Sequence, residues 1–189
     1  MPGDGSTRGG ARHERRADFF RMAGCVLFVL LAGTRGIVAH ADDPPLAPPV
    51  GEVLLTVSGS IRNGNAAGTA ALDESILRTL PRHSMETTTV VTDGVRRFDG
   101  FLMRDLLDLV GAEGRTVTAS ALNDYIIDIP IEDFQRFDVL VATHMDGVRL
   151  LPRDKGPFWI VYPRDAHDEL QDIRYDYRWV WQLIRLDVK

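Results

Sequence analysis

The sequence contains a single cysteine, Cys25, and it lies within the first 41 residues. Residues 42–189 therefore carry no thiol, which excludes a disulfide, a cysteine nucleophile and a thiolate metal ligand from that part of the chain. Basic residues are also scarce there. Six of the 22 Lys and Arg and three of the 27 Asp and Glu fall within residues 1–41, leaving 16 basic against 24 acidic residues, a formal charge of -8. Nucleic-acid binding needs a basic face, so an acidic chain argues against it. The same charge gives no affinity for an anionic membrane. There is no phosphate loop, no dinucleotide fingerprint and no Gly-x-Ser-x-Gly elbow.

What is present begins with an N-terminal segment unlike the rest. Arg8, Arg12, Arg15, Arg16 and Arg21 precede the apolar run Met22–Ala32, which is too short to span a bilayer. Ala39-His40-Ala41 follows as a small-x-small cleavage signal. The order of these regions predicts a secretory signal peptide over 1–41, cut before Asp42, and so a periplasmic or secreted protein with no stable membrane anchor. Cys25 opens the apolar run, whereas lipidation needs a cysteine at its end. Arg15-Arg16 leaves both a general and a twin-arginine export route open.

Residues 42–52 hold four prolines and read as an extended leader, and a single domain over 53–189 follows. Strands are expected at 53–58, 86–92, 115–119, 125–129, 139–144, 148–151, 158–161 and 179–188 from β-branched and apolar content. Leu72–Leu80 reads as a short helix stopped by Pro81. Asp93-Gly94 and Asp146-Gly147 read as turns. Phe101, Leu102, Leu106, Leu109 and Val110 recur at helical spacing, so an amphipathic helix is expected over 101–110, ended by Gly111. Residues 131–137 read as a short helix and Asp165–Asp176 as a polar loop. Strands outnumber helices without regular alternation, which indicates an α+β fold rather than a doubly wound sheet.

Few residues stand out as chemistry. His83, His144 and His167 show no metal-ligand spacing and read as satisfied or solvated. The acidic residues around His167 read as a solvated loop, and no metal site is expected. Trp159, Trp179 and Trp181 read as core. Asn123, Asp124 and Tyr125, a polar trio before an apolar strand, either line a pocket or cap a turn.

In order along the chain come a Thr-rich strand, Phe98-x-Gly100-Phe101-Leu102-x-x-x-Leu106-Leu107, Ala121-Leu122-Asn123-Asp124-Tyr125, Asp146-Gly147-Val148 and Gly156-Pro157-Phe158-Trp159-Ile160-Val161-Tyr162-Pro163. This order resembles the molybdopterin-binding domain of sulfite-oxidase-type oxidoreductases, in a small exported single-domain form. The resemblance implies a sulfite-oxidase-like fold of mainly antiparallel β-sheets with a few short helices. It also implies molybdenum held by a pterin dithiolene and one protein cysteine, a soft-ligand site suited to oxygen-atom transfer. Against the family pattern, the ligand strand reads Thr87-Thr88-Thr89-Val90-Val91-Thr92, Trp159 replaces an arginine, and Trp181 stands near a lysine position. The family's glycine loop has no glycine over 164–181.

Thr89, Asn123, Asp124 and Tyr125 are accordingly the pocket candidates, with no catalytic residue assigned. The expected role is a non-catalytic binding or accessory module of the cell envelope, taking a small molecule or an envelope protein. The residues themselves call for no cofactor, and molybdopterin follows from the resemblance alone. An atypical molybdenum or pterin oxidoreductase and a purely structural domain are the alternatives.

Overall fold

The computed structural model describes residues 45–189, and the expected signal peptide lies outside the described residues. In chain order the elements are β1 (Val53–Gly59), β2 (Ala70–Asp73), α1 (Glu74–Leu77), β3 (His83–Thr89), β4 (Thr92–Leu102), α2 (Met103–Leu109) and β5 (Thr116–Ala121). There follow β6 (Ile126–Pro130), α3 (Ile131–Arg136), β7 (Leu140–Met145), β8 (Val148–Arg149), β9 (Trp159–Val161), α4 (Ile173–Asp176) and β10 (Leu183–Val188).

The first sheet has the order β2-β1-β10-β5-β6, and its β1–β10 pair is parallel. Along β5 the side chains of Val117, Ala119 and Ala121 are buried and alternate with more exposed Thr and Ser, the period-two signature of a half-buried strand. The second sheet runs β3-β4-β7, with β8 and β9 pairing successive parts of β7. The segment before β10 joins the two sheets. Trp181 bridges to Trp159, and Ile160 N donates to the Val180 carbonyl at 2.9 Å. In the core against the second sheet, Trp159 of β9 meets Phe98 of β4 edge-on at 5.3 Å and Trp179 at 6.3 Å.

β2 and most of β4 are strands that the sequence reading lacks, and the strand expected over 179–188 begins only at Leu183. Four further differences have a physical reason. The helix expected over 101–110 begins only at Met103, because Phe101 and Leu102 end β4 and pair with Val141 and Leu140. Gly100 lies at a shift of register there, and a Cβ on it would stand 2.0 Å from the Val141 carbonyl oxygen. Close backbone approach, and not a helix start, is why glycine is needed. Gly111 does end the helix region with φ +59. Leu72 belongs to β2, and α1 starts after Asp73, whose carboxylate accepts from Ile76 N at 3.0 Å as an N-cap. The β3–β4 turn is made by Val90-Val91, while Asp93-Gly94 forms an irregularity inside β4, with Gly94 at φ +67. The stretch 165–176 coils into two 3₁₀ turns, over Arg164–Ala166 and Asp168–Gln171, and α4. Leu170, fully buried, anchors it to the core.

Candidate functional site: an aromatic cleft without thiol or base

A cleft of about 350 Å³ opens where three segments converge. The β3–β4 turn supplies Val90 and Val91, the β5–β6 turn supplies Asn123 and Tyr125, and residues 173–181 supply Ile173, Asp176, Tyr177, Trp179 and Trp181. Its rim is apolar yet solvent-facing: Ile173 is 62% and Tyr177 59% exposed. Exposed aliphatic and aromatic side chains gathered round one concavity mark a binding surface.

The walls are held from behind. Tyr125 Oη donates to the Tyr177 carbonyl at 2.7 Å, and Asn123 Oδ1 accepts from Tyr125 N at 3.2 Å. Arg178, between Tyr177 and Trp179, donates to the buried carboxylate of Asp133, which also accepts from Tyr162 Oη at 2.8 Å. Burial, and then the Asp133 charge, push the Tyr162 phenol well above its ordinary pKa, so it remains a donor. Two buried polar atoms of lining residues have no hydrogen-bond partner among the described residues: Trp179 Nε1, a donor, and Asp176 Oδ1, an acceptor that lies 3.6 Å from Arg164 Nε. Neither Lys, Arg nor Cys lines the cleft.

The sequence candidates separate. Asn123 and Tyr125 line the cleft. Asp124 occupies the β5–β6 turn with φ 64, its N–H donating to the Ala121 carbonyl at 3.3 Å, and is not among the lining residues. Thr89 is also outside the lining and is nearly buried; its hydroxyl bonds Thr92 Oγ1 at 2.8 Å and accepts from Val91 N at 3.1 Å. The other threonines of β3 are engaged as well. Thr88 donates through both N and Oγ1 to Asp165 at 2.6 Å, and Thr87 Oγ1 accepts from Asp165 N at 3.3 Å. These bonds cover the edge of β3 and engage the hydroxyls of Thr87, Thr88 and Thr89 within the protein.

Sequence reasoning missed Val90, Val91, Ile173, Asp176 and Tyr177. The available signal was chemical: two valines stand in a tight turn, where Gly, Asn and Asp are usual. Trp159 packs in the core as read, whereas Trp179 and Trp181 both pack and line the cleft. The acidic residues around His167 are dispersed among separate partners, Glu169 with Arg136 and Asp172 with Arg174. Among the described residues no group of three or more His, Cys, Asp or Glu is placed to hold a metal.

One mixed and one antiparallel sheet with a few short helices, and a cleft at the end of a Thr-rich strand, define the sulfite-oxidase-like molybdopterin-binding fold. Residues 77–166 match the family described as "Oxidoreductase molybdopterin binding domain", and the chain is a relative of that family. No curated protein matches the chain. Among solved structures it is similar to the sulfane dehydrogenase SoxCD from Paracoccus pantotrophus, with a TM-score of 0.53 and 16% identity. That likeness, which is of fold alone, covers 71% of this chain and 37% of the other.

The residues present do not fit the family's complete cofactor. A pterin dithiolene–metal unit takes a soft protein ligand, and its phosphate takes charge-assisted donors. The cleft has neither, and the β3 hydroxyls are hydrogen-bonded elsewhere. What the cleft offers a ligand is an aromatic and aliphatic lining, with Asn123 and Asp176 as its polar residues.

Proposed function

We propose that this protein is a non-catalytic ligand-binding module of the cell envelope, whose cleft takes a planar heteroaromatic molecule of the pterin type without a protein-held metal. The observation that carries this reading is the lining: Tyr125, Tyr177, Trp179 and Trp181 surround the cleft, with Asn123 and Asp176 as its polar groups and no thiol or base. A pterin presents stacking faces and an edge of alternating donors and acceptors, which the Asn123 amide and the Asp176 carboxylate complement. The match of residues 77–166 to the family supports the pterin class, and the missing ligand cysteine supports the absence of metal. The order of basic, apolar and small residues over 1–41 supports export. A well-formed cleft with orphaned polar atoms weighs against a purely structural domain.

The test is metal and pterin analysis of protein made in a host that synthesises the molybdenum cofactor, joined to titration with an unconjugated pterin followed by tryptophan fluorescence. Saturable quenching with no stoichiometric molybdenum is expected. Stoichiometric molybdenum with sulfite or sulfoxide turnover would replace this reading with the oxidoreductase one.

A further inference from the structure

A second cavity, of about 410 Å³, lies between α1, the start of β3 and β7. Its chemistry is opposite to that of the aromatic cleft. Arg78, Arg82, Arg149 and His144 line it, over a floor that includes Phe101 and Phe158. Both phenylalanines are buried, and they meet edge-on at 6.1 Å. One carboxylate, Glu74, faces the three guanidinium groups: it takes Arg149 Nη2 at 2.6 Å and Arg78 Nε at 3.1 Å. Arg82 forms no ion pair among the described residues. Its Nη2 instead donates to Thr143 Oγ1 at 3.3 Å, a contact that holds it beside the cavity. The cavity thus has a surplus of fixed positive charge on a chain whose residues 42–189 are net acidic.

From this we infer an anion site: the cavity binds a small organic oxyanion, a carboxylate, sulfonate or phosphate monoester carried on an aromatic or branched aliphatic body. Guanidinium forks recognise oxyanions by paired, charge-assisted hydrogen bonds, and three of them converge here. Glu74 holds Arg149 and Arg78 in place without cancelling their charge, since one carboxylate serves two guanidinium groups. The methylene stems of Arg78, Arg82 and Arg149, over the buried Phe101, Phe158 and Leu77, give the apolar body a wall to pack on, which distinguishes this site from a simple counter-ion position. The inference is independent of what fills the aromatic cleft.

The test uses the full chain with phenyl phosphate, benzoate and inorganic phosphate as probes, in titration calorimetry and amide NMR. Phenyl phosphate is expected to bind saturably, more tightly than inorganic phosphate, with shifts centred on Thr143 and His144. Arg82→Gln should weaken it about ten- to hundredfold, the value of a hydrogen bond to a charged group, and Arg78→Gln should weaken it in the same direction. Arg115→Gln, exposed and outside the cavity, should leave it unchanged. Thermal melting identifies any variant that fails to fold, and the shifts on the unaltered chain stand apart from that outcome. Absence of saturable binding, shifts centred on Trp179 and Trp181, equal affinity for inorganic phosphate, or indifference to both Arg82→Gln and Arg78→Gln would overturn the inference.

Discussion

The Tyr125 hydroxyl donates to the carbonyl of Tyr177 across 2.7 Å and so closes one wall of the aromatic cleft between segments 52 residues apart. Burial, then the proximity of Tyr177, raise the Tyr125 phenol pKa, which keeps it a donor at neutral pH. Tyr125→Phe removes this bond and leaves the ring. Pterin affinity should fall about two- to tenfold, matching a net hydrogen bond of about 0.5–1.5 kcal/mol, with little change in melting temperature. Fluorescence titration of both proteins decides it; equal affinities would show that the wall holds without the bond.

Behind the same wall, Asp133 is 5% exposed and receives both Arg178 and Tyr162. Asp133→Ala would leave the Arg178 charge without its carboxylate and Tyr162 without its acceptor. The expected loss is about 3–5 kcal/mol, as for a broken buried pair. Because Arg178 lies between two cleft residues, pterin binding should weaken in parallel. Urea unfolding measures the first effect, and a loss below about 1 kcal/mol, as at surface sites, would mean that the pair is solvated.

Gly100 sets the register between β4 and β7. A methyl group there would meet Val141 O at 2.0 Å and Val141 C at 2.8 Å, both backbone atoms. Gly100→Ala should therefore destabilise by about 1–3 kcal/mol, the range for overpacking. Differential scanning calorimetry would show the shift, and an unchanged melting temperature would rule out so close an approach.

That glycine also shows where the sequence was legible and where it was not. Strand positions such as Val117, Ala119 and Ala121 are legible because one face is buried and the other solvated, giving a clean period of two. Phe101 and Leu102 at the end of β4 are both buried, so alternation disappears and their spacing to Leu106 imitates a helix. Residues 165–176 look like loop by composition, but only tertiary contact reveals that Leu170 is fully buried. The cleft was half legible. Asn123 and Tyr125 precede an apolar strand and stand out locally. Val90, Val91, Ile173 and Tyr177 come from turns and a short helix distant in sequence, and no local pattern brings them together.

Asp73 accepts from Val50 N, Gly51 N, Ser75 Oγ and Ile76 N at 2.6–3.0 Å. Those donors, the Ser75 hydroxyl foremost, hold its carboxyl far below the ordinary value of 3.8. A depressed folded-state pKa supplies stability that is present above the unfolded value and is lost as pH falls towards the folded one. Stability should thus decline as pH drops below 3.8. Asp73→Asn should be less stable at neutral pH and should show a shallower decline in acid. Urea midpoints measured from neutral pH down to about 2.5 test this, and parallel curves for the two proteins would assign the acid loss to other groups.

A thiol placed in the cleft tests both its occupancy and its limits. Cys25 is the chain's one cysteine, so Val91→Cys in a Cys25→Ser background carries a single thiol on a cleft-lining residue. Val95→Cys, 60% exposed on β4 and outside the lining, is the control. If the cleft holds a pterin, saturating ligand should slow alkylation at position 91 and leave position 95 unaffected, because reaction requires access to the thiolate. Equal rates at 91 with and without ligand would place the ligand elsewhere. The same variant separates the metal from the ring. A thiolate supplies the soft ligand that β3 lacks, yet no Lys or Arg side chain lines the cleft to pair with a cofactor phosphate. Val91→Cys should therefore still emerge without stoichiometric molybdenum from a host that makes the cofactor. Full loading of this variant would show that the missing cysteine alone keeps the metal out, and that the missing basic groups do not matter.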